Sequence, residues 1–113
     1  MALHATYRDV GVVTVVDLGG RITLGDGSAL LRRTVRQLLD DNRTRILINL
    51  ADVDYIDSSG IATLIEVLKS AQRMQMEFVL FGLSPAVQDA FRLTHVNRVF
   101  RIVETEEQAL TPA

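Results

Sequence analysis

Short, almost continuous apolar runs recur along this chain, each separated from the next by residues whose apolar positions fall at helical spacing. The run Val12-Val13-Thr14-Val15-Val16-Asp17-Leu18 is β-branched and stops at Gly19-Gly20, which predicts a strand. Arg45-Ile46-Leu47-Ile48-Asn49-Leu50 and Phe78-Val79-Leu80-Phe81 are nearly all apolar, the pattern of strands covered on both faces. Residues 99–103 predict a last short strand. Between these runs, Leu31, Val35, Leu38 and Leu39 mark one helix. Ile61, Leu64, Ile65 and Leu68 at i, i+3, i+4 and i+7 mark a second, fading near Gln75. Val87, Ala90, Phe91 and Thr94 share one side of a third, opened by Ser84 as N-cap and Pro85 at N1. Thr105-Glu106-Glu107-Gln108 has the capping-box spacing of a terminal helix. Residues 3–9 form an expected edge strand with a turn at Gly11. The order is β(β)αβαβαβα. Helices between apolar strands demand right-handed crossovers, so the fold class is α/β with a largely parallel sheet and an antiparallel start.

The remaining composition excludes more than it suggests. At 113 residues the chain has the length of one ordinary domain, spanning 1–113, and buries about two-thirds of its extended surface on folding. It has no cysteine, so no disulfide framework, thiol nucleophile or thiolate metal site is available. Twelve basic against fourteen acidic residues give a net charge of −2, which offers no global footprint for nucleic acid. No segment approaches the roughly 18–20 apolar residues of a membrane span, and no signal peptide is read at the N-terminus. A cytoplasmic protein without direct membrane insertion is expected.

The stretch richest in chemistry is Asn49-Leu50-Ala51-Asp52-Val53-Asp54-Tyr55-Ile56-Asp57-Ser58-Ser59-Gly60-Ile61. It reads as a buried strand, an acidic loop over residues 51–57, and two serines at the start of the second helix. Ordinary capping accounts for Asp-Ser-Ser at about 1 kcal/mol. Gly60 is harder to explain that way. Glycine in the first turn costs about 0.8–1 kcal/mol against alanine, which points to close backbone approach. A phosphate on either serine would meet free N–H groups and the positive end of the helix dipole. It would also add about −1.5 to −2 charges beside Asp52, Asp54 and Asp57. Such a modification changes the surface a partner meets without unfolding the helix.

The run Asp57-Ser58-Ser59-Gly60, following the Ile46–Leu50 strand and opening an amphipathic helix, resembles the STAS domain of bacterial anti-sigma factor antagonists. Gly19-Gly20-Arg21-Ile22 after the early strand and Gly82-Leu83-Ser84-Pro85-Ala86-Val87 with Phe91 are further marks. The resemblance covers approximately residues 7–110. It implies a four- to five-stranded mixed sheet backed by about four helices, and a function without catalysis or cofactors: partner switching. The unphosphorylated protein would bind an anti-sigma factor that is also a serine kinase, and phosphorylation would cancel that binding. The implied acceptor is Ser58, with Ser59 second. The implied partner surface takes in Thr23, Asp54, Asp57, Ser58, Ser59, Gly60, Ile61 and Leu64. Thr23 stands where many of these antagonists carry an acidic residue, in a glycine-rich loop over residues 21–28 that is expected, with the acidic loop, to help form the partner surface. That departure motivates an alternative, a constitutive scaffold or an accessory subunit of a signalling assembly or membrane lipid transporter.

Other candidates carry less. A serine-nucleophile elbow needs Gly-x-Ser-x-Gly, and the first glycine is missing here. The histidines, His4 and His95, lie near a terminus and after the third helix. Gly25-Asp26-Gly27 lacks the Gly-Lys-Ser/Thr ending of a phosphate loop, and reads as a flexible loop with Ser28 as helix cap. Asp52, Asp54 and Asp57 lack calcium-loop spacing, and a solvated acidic rim is expected. Arg32, Arg33 and Arg36 form a small basic patch on the wet face of the first helix, suited to an acidic partner. Met74 and Met76 are expected to fill core gaps.

Overall fold

The computed structural model describes residues 2–111. Five strands form one sheet in the order of the chain: β1 (His4–Val10), β2 (Val13–Ile22), β3 (Arg45–Ile56), β4 (Glu77–Phe81) and β5 (Arg101–Val103). β1 runs antiparallel to β2 through the Gly11 turn, and the other pairings are parallel. The helices are α1 (Asp26–Asp40), α2 (Ser58–Arg73), α3 (Pro85–Thr94) and α4 (Glu106–Leu110). The expected mixed sheet with four helices is what forms.

Consecutive strand order has a consequence for layering. Three right-handed crossovers stepping the same way along the sheet place α1, α2 and α3 on one face. The main core accordingly joins Val16, Ile46, Ile48, Leu50 and Leu80 of the strands to Leu31 and Val35, Leu64 and Val67, and Val87 and Phe91 of those helices. The opposite face carries Val13, Val15, Leu47, Val79 and Phe81, covered by Ala109 and Leu110 of α4. Burial of β3 on both faces explains its unbroken apolar run.

Two strands outrun their sequence signals. β2 does not stop at Gly19-Gly20 but continues to Ile22. Gly20 lies at φ 100°, and a Cβ there would meet the carbonyl oxygen of Ala2 at 2.3 Å, so the pair admits close chain approach rather than ending the strand. β3 does not give way to an acidic loop at residue 51 but continues to Ile56. Its register against β2 slips between Asp17/Gly19 and again between Gly20/Arg21, each slip a bulge that places one extra residue on β3. The core-facing residues become Leu50, Val53 and Ile56, three apart instead of two.

Smaller differences have local causes. Ser28 is not the cap of α1: Gly25 holds that position with no side-chain cap, and Ser28 sits buried in the first turn. β5 begins at Arg101, with Val99 exposed ahead of it. Met76 packs on the core, whereas Met74 is exposed past the end of α2. Thr94 is exposed in the last turn of α3, where its hydroxyl donates to the Ala90 carbonyl instead of packing inward. No described helix is long and apolar enough to cross a membrane.

Arginines fasten α4 at both ends. Arg8 pairs with Asp17 at 2.8 Å and with Glu106 in the first turn of α4 at 2.5 Å. Arg45 donates to the carbonyls of Ala109 and Leu110 at 3.1 Å each, and Arg101 to that of Thr111 at 3.3 Å. Hydrogen bonds from Arg8 hold the carboxyls of Asp17 and Glu106 below their ordinary pKa values, and Arg8 holds its own proton more firmly than usual. A depressed carboxyl stabilises the fold above its unfolded pKa and loses that contribution as pH falls through the lower folded value. Urea unfolding of wild type and Arg8→Met should therefore differ at neutral pH and converge once the pH drops well below about 4. A gap that persists unchanged into strong acid would assign Arg8 a packing role instead.

Candidate functional site

The second helix enters against the end of β2. A Cβ on Gly60 would lie 2.6 Å from the carbonyl oxygen of Ile22 and 2.7 Å from Cγ1 of Ile56. The backbone approach expected from a first-turn glycine is thus real, and its partner is the last residue of β2. Asp57 secures the junction as N-cap. Its Oδ1 accepts from the Gly60 N–H at 2.9 Å and its Oδ2 from the Leu24 N–H at 3.1 Å. The Asp57 N–H donates to the Ile22 carbonyl at 3.2 Å. One aspartate therefore caps α2 and ties the segment after β2 to it. Each such bond contributes on the order of 1 kcal/mol, more for a charged acceptor.

A second latch crosses the same junction. The Ser28 hydroxyl lies 2.9 Å from the Thr23 carbonyl, which can only accept, and 2.9 Å from the Ser59 hydroxyl. Ser28 spends its one proton on Thr23, so Ser59 is the donor in the serine pair. Both Ser59 and the buried Ser28 are thereby engaged. Ser58 differs. It is exposed, and its hydroxyl makes no hydrogen bond among the described residues. Its main-chain N–H belongs to the first turn, where no intrahelical acceptor exists.

Around Ser58 the surface mixes apolar and charged groups. Leu24 is 81% exposed and Tyr55 is 44% exposed. The Arg21 guanidinium stands 4.5 Å over the Tyr55 ring, a cation–π contact created by the register that sets Arg21 opposite Tyr55. Asp52 and Asp54 are exposed on β3, Asp54 as the extra residue of the second bulge. With both Asp57 oxygens taken by backbone donors, the three aspartates hold no metal cluster among the described residues.

Three residues expected on this surface lie beneath it: Gly60, pressed against the end of β2, and two apolar residues of α2. Ile61 is 5% exposed and Leu64 is not exposed at all. Both face the sheet, because positions three and six past Ser58 fall on the inward stripe of α2. They hold the helix down and are closed to a partner. Thr23 is half-buried, and its carbonyl serves Ser28. The sequence assigns the 21–28 connection and the 51–57 segment to the surface as wholes, and the structure leaves Arg21, Leu24 and Tyr55 exposed there while burying Ser28. An apolar leucine in a glycine-rich connection was the available signal for Leu24. The Arg21–Tyr55 pair has none before the strands are in register. Neither His4, opposite Gly19 on β1, nor His95, at the end of α3, bonds to either serine of the motif among the described residues.

The comparisons agree with this fold. The family model described as STAS domain matches residues 4–109. BtrV of Bordetella bronchiseptica is 30% identical over 107 residues, covering 95% of this chain and 91% of BtrV. The crystal structure of an anti-sigma factor antagonist from Mycobacterium paratuberculosis superposes with a TM-score of 0.87 at 21% identity, over 96% of this chain and 92% of that one. The Bacillus cell fate determinant SpoIIAA in its phosphorylated form gives 0.71 at 18% identity, over 95% and 96%. The chain belongs to the STAS domain family, as a relative of the bacterial anti-sigma factor antagonists.

Proposed function

We propose that this protein is a phosphorylation-controlled anti-sigma factor antagonist, with Ser58 as the acceptor. In its unmodified form it binds an anti-sigma factor carrying serine kinase activity in the cytoplasm, freeing the sigma factor. The single observation that carries the reading is the contrast between neighbouring serines: Ser58 is exposed and unbonded, while the Ser59 hydroxyl is committed to Ser28. A phosphorylated form of SpoIIAA supports it by likeness. The docking surface groups Ser58 with Leu24, Tyr55, Asp54 and the Asp57 cap. Leu24 and Tyr55 supply apolar contact area, and Ser58 supplies the position where charge can be added.

Phosphate at Ser58 meets the free N–H groups and dipole of α2, so the fold tolerates it while the surface gains about −1.5 to −2 charges. Incubation with the cognate kinase and ATP should label Ser58, as mapped by mass spectrometry. Ser58→Asp should melt within a few degrees of wild type and lose about tenfold or more in affinity for the anti-sigma partner. No label on Ser58 or Ser59, together with unchanged affinity in Ser58→Asp, would overturn the switch and leave a constitutive scaffold.

A further inference from the structure

The outward face of the α1–α2 pair carries a charge opposite to that of the chain. Arg32, Arg33, Arg36, Lys69 and Arg73 stand there against Asp26, Asp40 and Glu66, on a protein whose net charge is −2. Arg32 and Arg36 converge on the same oxygen of Glu66, at 2.9 and 2.8 Å. One carboxylate thus neutralises half of what two guanidiniums bring. Arg33 and Lys69 are exposed and have no ion pair among the described residues. On α1 the arginines border a shallow groove of about 490 Å³ that runs from Ala29 to Asp40.

This face is continuous with Ser58. Ser58, Ala62, Glu66, Lys69 and Arg73 recur at i, i+4, i+8, i+11 and i+15, which keeps them within one stripe of α2. Ser58 heads the stripe, and Lys69 lies about 16 Å farther along the axis. The Ser28–Ser59 contact fixes the start of α1 beside the start of α2, so the arginines of α1 flank that stripe.

We propose that the basic α1–α2 face, centred on Arg33, Arg36 and Lys69, docks an acidic segment of the protein partner that enters alongside Ser58. The inference rests on the partner-binding reading of Ser58 and adds the chemistry of what is bound. Charge complementarity selects the occupant: the cations attract carboxylates, while the aspartates at the Ser58 end repel them. An acidic segment is therefore held along the helices and not over β3. Phosphate on Ser58 carries that repulsion onto the head of the basic stripe, within a Debye length of its first turns. Partner release then follows from charge, with the fold unchanged.

A fluorescent, glutamate-rich helical peptide of about sixteen residues is a suitable probe, long enough to span the stripe. Anisotropy should show binding that weakens steeply with salt, and amide NMR shifts should map to α1 and α2. The double variant Arg33→Glu/Lys69→Glu spares the Glu66 pairs and should bind about tenfold or more weakly at an unchanged melting temperature. Arg92→Glu/Arg98→Glu, with the same charge change on α3 and the loop after it, should bind within about twofold of wild type. Equal losses in both double variants, or shifts confined to other elements in the wild-type protein, would overturn the proposal. So would tighter binding of a DNA duplex or of anionic phosphatidylglycerol vesicles than of the peptide. Peptide binding without Ser58 labelling would retain the docking face and defeat the switch. Ser58 labelling without peptide binding would do the reverse.

Discussion

Gly60→Ala is expected to destabilise the protein by about 2–3 kcal/mol and lower its melting temperature by roughly 10 °C. Two effects of opposite sign compete at this position. Alanine in a helix is favoured over glycine by about 0.8–1 kcal/mol, so propensity alone predicts a more stable variant. The new Cβ, however, would stand 2.6 Å from the Ile22 carbonyl oxygen and 2.8 Å from Ile22 Cγ2. The oxygen cannot step aside. It belongs to the backbone of β2 and already accepts from the Asp57 N–H. Overpacking of this kind costs about 1–3 kcal/mol, more where backbone must move, and it wins. Relief requires α2 to shift outward, which pulls Ser58 and Ser59 away from the Leu24 segment. Urea and thermal unfolding measure the effect directly. A melting temperature at or above that of wild type would mean that helix propensity governs the site.

Leu64→Ala should be comparably severe, at about 2–5 kcal/mol, through a different cause. Leu64 is fully buried between α2 and the sheet, within the main core. Truncation removes its transfer free energy and leaves a cavity that the surrounding residues only partly fill. Because the side chain never reaches the surface, the affinity of the folded variant for the anti-sigma partner should match wild type when measured well below the unfolding transition. This separates a core residue from a contact residue. A variant that kept its stability but lost its partner would return Leu64 to the interface.

The misread stretch over residues 51–57 shows why part of the site was hidden in the sequence. Strands are recognised by alternation, yet the core-facing residues here are Leu50, Val53 and Ile56. Two bulges create that spacing, and a bulge is defined by the partner strand, not by the bulged one. Asp52 and Asp54 looked like loop residues because a polar, period-three segment has no strand signature. The same reasoning covers Ser28. Small polar residues ahead of an apolar helix suggest a cap, but the hydroxyl is instead turned toward Thr23 and Ser59, across a junction of three segments. Ile61 and Leu64 were misassigned for a simpler reason. The resemblance implies both for the surface, whereas helical periodicity places them on the buried side.

Local chemistry was legible wherever one segment sufficed to state it. The Ser84-Pro85 start of α3 and the Thr105–Gln108 capping box form as read. Asn42, just past α1, adopts at φ 59° the left-handed conformation in which helices commonly end. The Asp-Ser-Ser-Gly motif lies at the head of α2, with Asp57 as its cap.

The sequence by itself determined the order of elements, the parallel sheet that such an order requires, and the position of the serine motif at a helix start. These follow from periodicity, capping and chain chirality, which act over a few residues or through the handedness of every crossover. Only the tertiary structure decided which of two adjacent serines is free, which apolar residues reach solvent, and where the arginines of one helix meet the exposed stripe of another. Those distinctions depend on contacts between residues some thirty positions apart, such as Ser28 with Ser59 and Arg32 with Glu66. Their geometry is set when register and packing bring the segments together.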